Sequence, residues 1–431
     1  MGSFKKTMQS VTTIFLLLFA APLVAQDFAD DIDGLIQPHA EAGLFSGVIL
    51  VARGDAVIFQ RGYGFANREQ RVPNNVTTRL GIGSITKSMT VNVADALIAD
   101  SRISLNDPVE KYITDFPRGP QGGIATVEHL MIHRAGVPHR VTSAVDESQP
   151  NSAADIAAKV SAQGLLFEPG SERLYSSAGY TTLAHVLEVA SDQSFSQLLD
   201  EYVFGPAGMS SAQDETGQDL MVSRALPYRL GANADGVAVK NAPYKDLRFL
   251  TGAGSVYATA SDLYRYVRAI GNGVFGDQAR INLFGGDSSV WRGLYGRTNG
   301  YESSVDVLAN GQTVIVLLSN LQSATTGQVR LQLQALVSGG EISEIPRPPG
   351  VGEAFEEATD IVGTYGRAEI RIVDNALFRG ENEFYPTKKN SYYIPASGTE
   401  MQFRRDTDGV VDALISTSLG GRESILPRSP D

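Results

Sequence analysis

The chain contains no cysteine, which excludes disulfides, thiol nucleophiles and lipidated cysteines. Positive charge is also scarce. Against 48 Asp and Glu there are 36 Lys and Arg, a formal charge of −12, with no basic cluster. Nucleic acid and acidic membrane surfaces select basic proteins, so neither is expected as a partner. No long apolar run marks a membrane span. Val11 to Val24 is mostly apolar but covers only about fourteen residues, short of the ~20 a spanning helix needs. No G-x-S-x-G elbow occurs, so an α/β-hydrolase triad is unsupported, and Gly-rich stretches such as GAGS (252–255) lack the lysine of a phosphate loop.

Lys5 and Lys6 precede that apolar run, and Leu23-Val24-Ala25 offers a small residue at a cleavage point. Residues 1–25 therefore read as an export signal rather than an anchor, with no integral span after cleavage. The expected location is periplasmic or secreted. An exported chain without cysteine fits a bacterial periplasm, where bridges are optional.

A length of 431 residues suggests two or three domains. SGVILVARGD and AVIFQRGYG alternate like strands around an Arg53-Gly54-Asp55 turn. Helical spacing fills the middle: starts at Asn106-Asp107-Pro108 and Thr126-Val-Glu-His-Leu, and apolar periodicity over 178–203. Strands return at Ser303 to Ala309 and Gln312 to Asn320, joined by the hairpin dipeptide Asn310-Gly311. A sheet built from both ends of one domain, with a helical insert, accommodates this order. EISEIPRPPGVGEAFE (341–356) reads as a linker. Beyond it, AEIRIV, NALFRG, SYYIPA and MQFRRDTDGVVDALIS predict a small β domain over 357–431, a barrel or sandwich.

Within RLGIGSITKSMT, Ser84 opens a predicted helix and Lys87 lies one turn on, on the same face. Ile85, Met89, Val93 and Leu97 line the opposite side, while Val91, Ala94 and Ile98 continue the Ser/Lys side. A helix apolar nearly all round is buried. A serine is a poor nucleophile until a neighbour takes its proton, and a desolvated lysine can do so. Alone, S-x-x-K is unspecific: Ser3-Phe-Lys-Lys6 matches it too, and Ser84 could be a plain N-cap.

Two further segments give the motif context. FEPGSERLYSSAGY places Tyr175 and Ser177 in a turn before a helix, and LYGRTNGY (294–301) puts glycines just ahead of the late strands. With RGYGFAN, SRISLNDPVEKYITDFP, TVEHLMIHRAGVP and GAGSVYATASDLYRYVRAI, the chain from about 40 to 340 resembles the serine β-lactamase and penicillin-binding-protein superfamily. Within it, the resemblance points toward class C β-lactamases, D-alanyl-D-alanine carboxypeptidases and family VIII-type esterases. The resemblance implies an α/β (α+β) fold: an antiparallel sheet flanked by helices, an all-α subdomain, and a small C-terminal all-β domain. The hydrolase domain would run over 26–340. The resemblance also implies that Ser84 is acylated, Lys87 assists its deprotonation, and Tyr175 relays the proton. The backbone N–H groups of Ser84 and Arg297 would form the oxyanion hole beside Gly296, with Ser177 binding substrate. The chain departs from the family pattern twice. Tyr175-Ser-Ser177 replaces the usual Tyr-x-Asn, and Leu294 stands where a cation is usual; Arg297 could replace it or could simply face solvent.

His129 and His133 stand four apart on a predicted helix but lack the Glu of H-E-x-x-H, so packing outweighs zinc. No metal or cofactor is expected. Tyr257, Tyr264 and Tyr266 suit core and rim, and Trp291, the only tryptophan, could line the site or pack. The expected function is an exported serine hydrolase, an esterase or amidase on a small or D-amino-acid-type acyl substrate. The alternatives are a D,D-carboxypeptidase or weak β-lactamase, and a non-catalytic cell-wall-peptide binder suggested by Ser177 and Leu294.

Overall fold

A computed structural model describes residues 28–429 apart from 142–144, 234–235, 286, 288, 309–310, 351–357, 375 and 389–390. The proposed export signal and part of the predicted linker lie outside the described residues. Among those described, no helix is long and apolar enough to cross a membrane.

The central sheet joins strands from both ends of the first 340 residues. These are β1 (Gly47–Arg53), β2 (Ala56–Tyr63) and, much later, β5 (Arg292–Thr298), β6 (Tyr301–Leu308) and β7 (Thr313–Ser319). Their order is β5-β6-β7-β1-β2, antiparallel throughout. Both predicted hairpins form. The alternation read into β1 does not hold, because GVILVA is buried at every position. The sheet is covered on both faces, which favours a continuous apolar run over an amphipathic one. On one face Val48, Leu50, Val316 and Leu318 join the main core; on the other Ile49, Val51, Ile315 and Leu317 meet Ile32 and Ile36 of α1 (28–41) and Val329 and Leu333 of α7 (Ala324–Val337).

The helical insert contains α2 (Thr86–Ala99), α3 (Val127–Met131), α4 (Ala153–Gln163), α5 (Ser177–Ser191) and, nearer the returning strands, α6 (Ala260–Gly271). The helix expected after Asp107 is only a 3-10 turn, Val109–Lys111. The stretch 178–203 breaks at Asp192, whose left-handed backbone ends α5 before a second short helix at Phe195–Leu199. A hairpin of β3 (Tyr228–Asn233) and β4 (Gly236–Asn241) precedes α6.

The last eight strands are Gly363–Tyr365 (β8), Ala368–Val373 (β9), Ala376–Arg379 (β10), Asn382–Lys388 (β11), Ser391–Ile394 (β12), Thr399–Arg405 (β13), Val411–Thr417 (β14) and Glu423–Pro427 (β15). Each pairs with the next, and the first meets the last through a Tyr365–Arg428 bridge. This is an up-and-down barrel around its own core of Tyr365, Ile370, Phe384, Met401 and Leu414.

Candidate active site

Ser84 lies in a 3-10 turn (Gly83–Ile85) that runs directly into α2. Two glycines let strand β5 lie against that turn. Gly83 has φ +50, and a Cβ there would sit 2.8 Å from the Arg297 amide nitrogen. A Cβ on Gly296 would sit 2.0 Å from the Ile82 carbonyl oxygen and 2.9 Å from the Ser84 nitrogen. Only glycine permits such backbone contact. It brings the Ser84 and Arg297 amides to one place.

Lys87 is 6% exposed, among the least exposed charged residues described. Its Nζ donates to the Ala253 carbonyl at 2.7 Å and to the Ser84 and Ser177 hydroxyls, each at 3.3 Å. Its other neighbours are the rings of Tyr175 and Tyr180, with centroids at 5.0 and 5.7 Å. No carboxylate accepts from it among the hydrogen bonds and ion pairs described. Burial, reinforced by the charge of Arg140, lowers its pKa to about 7. The Tyr175 hydroxyl donates to Ser84 Oγ at 2.7 Å. Burial raises the Tyr175 phenol above its usual value, opposed by its bond to Ser84, so it is a proton donor at neutral pH.

The turn carrying Tyr175 is clamped by residues 133–139. His133 Nδ1 accepts from the Ser176 amide at 3.1 Å and His139 Nδ1 from the Ser177 amide at 3.4 Å. The imidazole rings stack on Tyr175 at 4.6 and 5.5 Å between centroids. Burial, then the Lys87, Arg173 and His139 charges, lower His133 to about 4; burial, then Arg140 and Lys87, lower His139. The expected shared helix for His129 and His133 is corrected: α3 ends at Met131, His129 completes its capping box, and His133 turns away with φ +64.

Ser84, Tyr175, Ser177, Gly296 and Arg297 line one cavity of about 480 Å³, with Lys87 on its floor through those hydrogen bonds. All six residues singled out from the sequence thus converge. The Arg297 side chain is engaged by buried Glu302 at 2.5 Å and is not a free stand-in for the missing cation. Leu294 does not line this cavity. It faces a second one of about 930 Å³, together with Trp291 and Tyr180, and Tyr295 borders both. Sequence reasoning passed over His139, Arg140 and the Ala253 carbonyl, and weighed His133 only as a metal ligand. Two of their segments had been noted, but only as family markers or as a failed phosphate loop.

A hydroxyl, a phenol and an amine from which no carboxylate accepts among the described residues, beside two converging amides, can make and break an ester at Ser84. A family model described as Beta-lactamase matches residues 32–338. The chain belongs to the beta-lactamase family. Its fold and chemistry are those of a serine hydrolase related to β-lactamases and penicillin-binding proteins. Among curated relatives of this beta-lactamase family member, the D-alanyl-D-alanine-carboxypeptidase/endopeptidase AmpH of Escherichia coli (strain K12) is 29% identical over 268 residues, covering 58% of this chain and 64% of AmpH. The chain spans 38% to 75% of the length of such relatives. Among solved structures, FmtA from Staphylococcus aureus aligns with TM-score 0.61 at 19% identity, covering 74% of this chain and 92% of FmtA. The D-amino acid amidase from Ochrobactrum anthropi SV3 aligns at 0.58 and 20%, covering 68% and 91%. At that identity the likeness is one of fold.

Proposed function

We propose that the protein is an exported esterase or amidase acting through an acyl-enzyme on Ser84. The observation that carries this is the convergence of Ser84 Oγ, Lys87 Nζ and the Tyr175 hydroxyl within hydrogen-bond distance, with Lys87 buried and no carboxylate accepting from it among the described residues. Neutral Lys87 takes the Ser84 proton as Oγ attacks the substrate carbonyl. The oxyanion is held by the Ser84 and Arg297 amides. Tyr175 passes a proton to the departing alcohol or amine and recovers one from Lys87. Water, activated by the same pair, then cleaves the acyl-serine ester. Ser177 steadies Lys87 and offers a hydroxyl to the bound acyl group.

The proposed substrate is small or of D-amino-acid type, consistent with the shared fold of the amidase. A carboxypeptidase or weak β-lactamase is the second reading, favoured by the Arg140 guanidinium in the cavity and by the activity named for AmpH. The proposed division of the chain is an export signal over 1–25, a hydrolase domain over 26–340, a linker over 341–356 and a barrel over 357–431. The separate apolar cores of the sheet and the barrel support it.

The test is mass spectrometry after fluorophosphonate or penicillin treatment, beside turnover of p-nitrophenyl esters. A Ser84 adduct with ester turnover, abolished in Ser84→Ala, is expected. An adduct with penicillin but no ester turnover selects the carboxypeptidase. A folded protein that reacts with neither is a binder.

A further inference from the structure

Three arginines line the Ser84 cavity: Arg140, Arg297 and Arg330. Two are already neutralised, Arg297 by Glu302 at 2.5 Å and Arg330 by fully buried Asp306 at 2.9 Å. Arg140 is different. It is 47% exposed, and its ion-pair partner, Glu147, is 3.5 Å away. Glu147 is more tightly held from the other side, by Lys245 Nζ at 2.7 Å. Lys245 is 10% exposed and also grips Glu381 at 2.7 Å, and Glu381 sits in the turn between barrel strands β10 and β11. That turn is fixed in place. Arg229 donates to the Glu381 carbonyl at 2.6 Å, and Lys240 binds Glu383 at 2.6 Å. The chain of charges Arg140, Glu147, Lys245, Glu381 therefore runs from the catalytic cavity into the C-terminal barrel with alternating sign. Partial desolvation works to raise the Glu381 carboxyl. The Lys245 hydrogen bond and the charges of Lys245, Arg140 and Arg229 outweigh it and hold it below its usual value.

We infer that Arg140 reads an anionic group on the substrate, and that the barrel tunes it through this chain by drawing Glu147 toward Lys245 and away from Arg140. The substrate class is then an ester or amide that carries a carboxylate. This rests on the hydrolase reading above and narrows it. Sharing Glu147 with a nearer lysine leaves the Arg140 guanidinium only partly compensated, which suits a reversible carboxylate clamp. The sign of each perturbation follows from the order of the charges. Without Lys245, Glu147 turns wholly to Arg140 and silences it. Without Glu381, Lys245 leans harder on Glu147 and frees Arg140 further.

The experiment measures kcat and KM on the full chain, in about 0.15 M salt to screen distant charges. Two ester pairs are used, phenyl phenylacetate against 3-carboxyphenyl phenylacetate, and p-nitrophenyl acetate against p-nitrophenyl hydrogen adipate. The quantity read is the kcat/KM preference for the carboxylate member. Wild type is expected to prefer it in at least one pair, mainly through KM. Arg140→Gln lowers that preference about tenfold, the size of one lost charge-assisted bond. Lys245→Met lowers it about threefold, Lys245→Arg restores it, and Glu381→Gln raises it about twofold. Glu369→Gln, which removes an exposed barrel acid outside the chain, is the control. Melting curves establish that each variant is folded. Turnover of neutral esters without any effect of Arg140→Gln overturns the anion site. A selective Arg140→Gln effect with Glu381→Gln matching Glu369→Gln overturns the barrel's part. Failure of wild type to cleave any of the four esters overturns the hydrolase reading and this one with it.

Discussion

Two cations beside strand β5, the buried Lys87 and the partly exposed Arg330, are treated in opposite ways. On the Ser84 side, Lys87 hydrogen-bonds hydroxyls and a carbonyl and lies against aromatic faces, with no carboxylate accepting from it among the described residues, and burial, then the Arg140 charge, drives its pKa to about 7. At the cavity's rim, Arg330 meets the buried Asp306, which also accepts from the Tyr295 hydroxyl and the Gln334 amide, each at 2.9 Å. The same low-polarity surroundings thus make a base where the counter-ion is withheld and a strut where it is supplied. The strut is useful to the base, because Tyr295 immediately precedes Gly296, and Asp306 ties it to α7.

The largest break in this contrast comes from Lys87→Met. Turnover should fall about a thousandfold, within the range for a lost general base, while the melting temperature rises. The sign follows from linkage. With a folded pKa of about 7 against 10.5 for an ordinary lysine, the unfolded chain binds more protons across that window. Wild-type stability should therefore climb from about pH 7 to pH 10, and the rise should vanish in the variant. Wild-type kcat/KM should likewise rise with an apparent pKa near 7. A variant melting lower, with an unchanged pH–stability curve, breaks the comparison from the base side.

Asp306→Asn tests the strut. It strips the charge from a group that Arg330 and Tyr295 share, and should cost about 2 kcal/mol in urea unfolding, somewhat less than a fully buried pair because Arg330 is partly exposed. About tenfold should also go from kcat, since small shifts of β5 misplace the Arg297 amide. Full activity with the stability loss would separate the strut from the base. The smallest effect is expected from His133→Gln, about threefold in kcat: the Tyr175 turn keeps an acceptor for the Ser176 amide but loses a stacked ring.

Much of the site was legible because its signals are local. The Gly-Ile-Gly turn, the one-turn spacing of Ser84 and Lys87, and the Tyr175 turn ahead of α5 are properties of short segments. Asn310-Gly311 located the β6–β7 connection for the same reason, although residues 309–310 of the loop lie outside those described. The failures were contextual. Burial on both faces replaced the alternation of β1, and tertiary packing ended α3 before His133, so a spacing argument placed the two imidazoles on one helix when they serve different ends. Leu294 was read as standing where a cation is usual, but the strand's pleat turns it toward the neighbouring cavity.

By itself the sequence determined the two hairpins of the central sheet, the β-rich tail, and which hydroxyl, amine and phenol are present, because periodicity and glycine-permitted turns act over a few residues. Only the tertiary structure decided that, among the described residues, no carboxylate accepts from the amine while Arg297 and Arg330 are each paired with one. Ser84 meets Tyr175 across 91 residues of chain and Lys87 meets Ala253 across 166. Desolvation and Coulomb energy depend on every atom gathered at one point in space, whatever their separation along the chain.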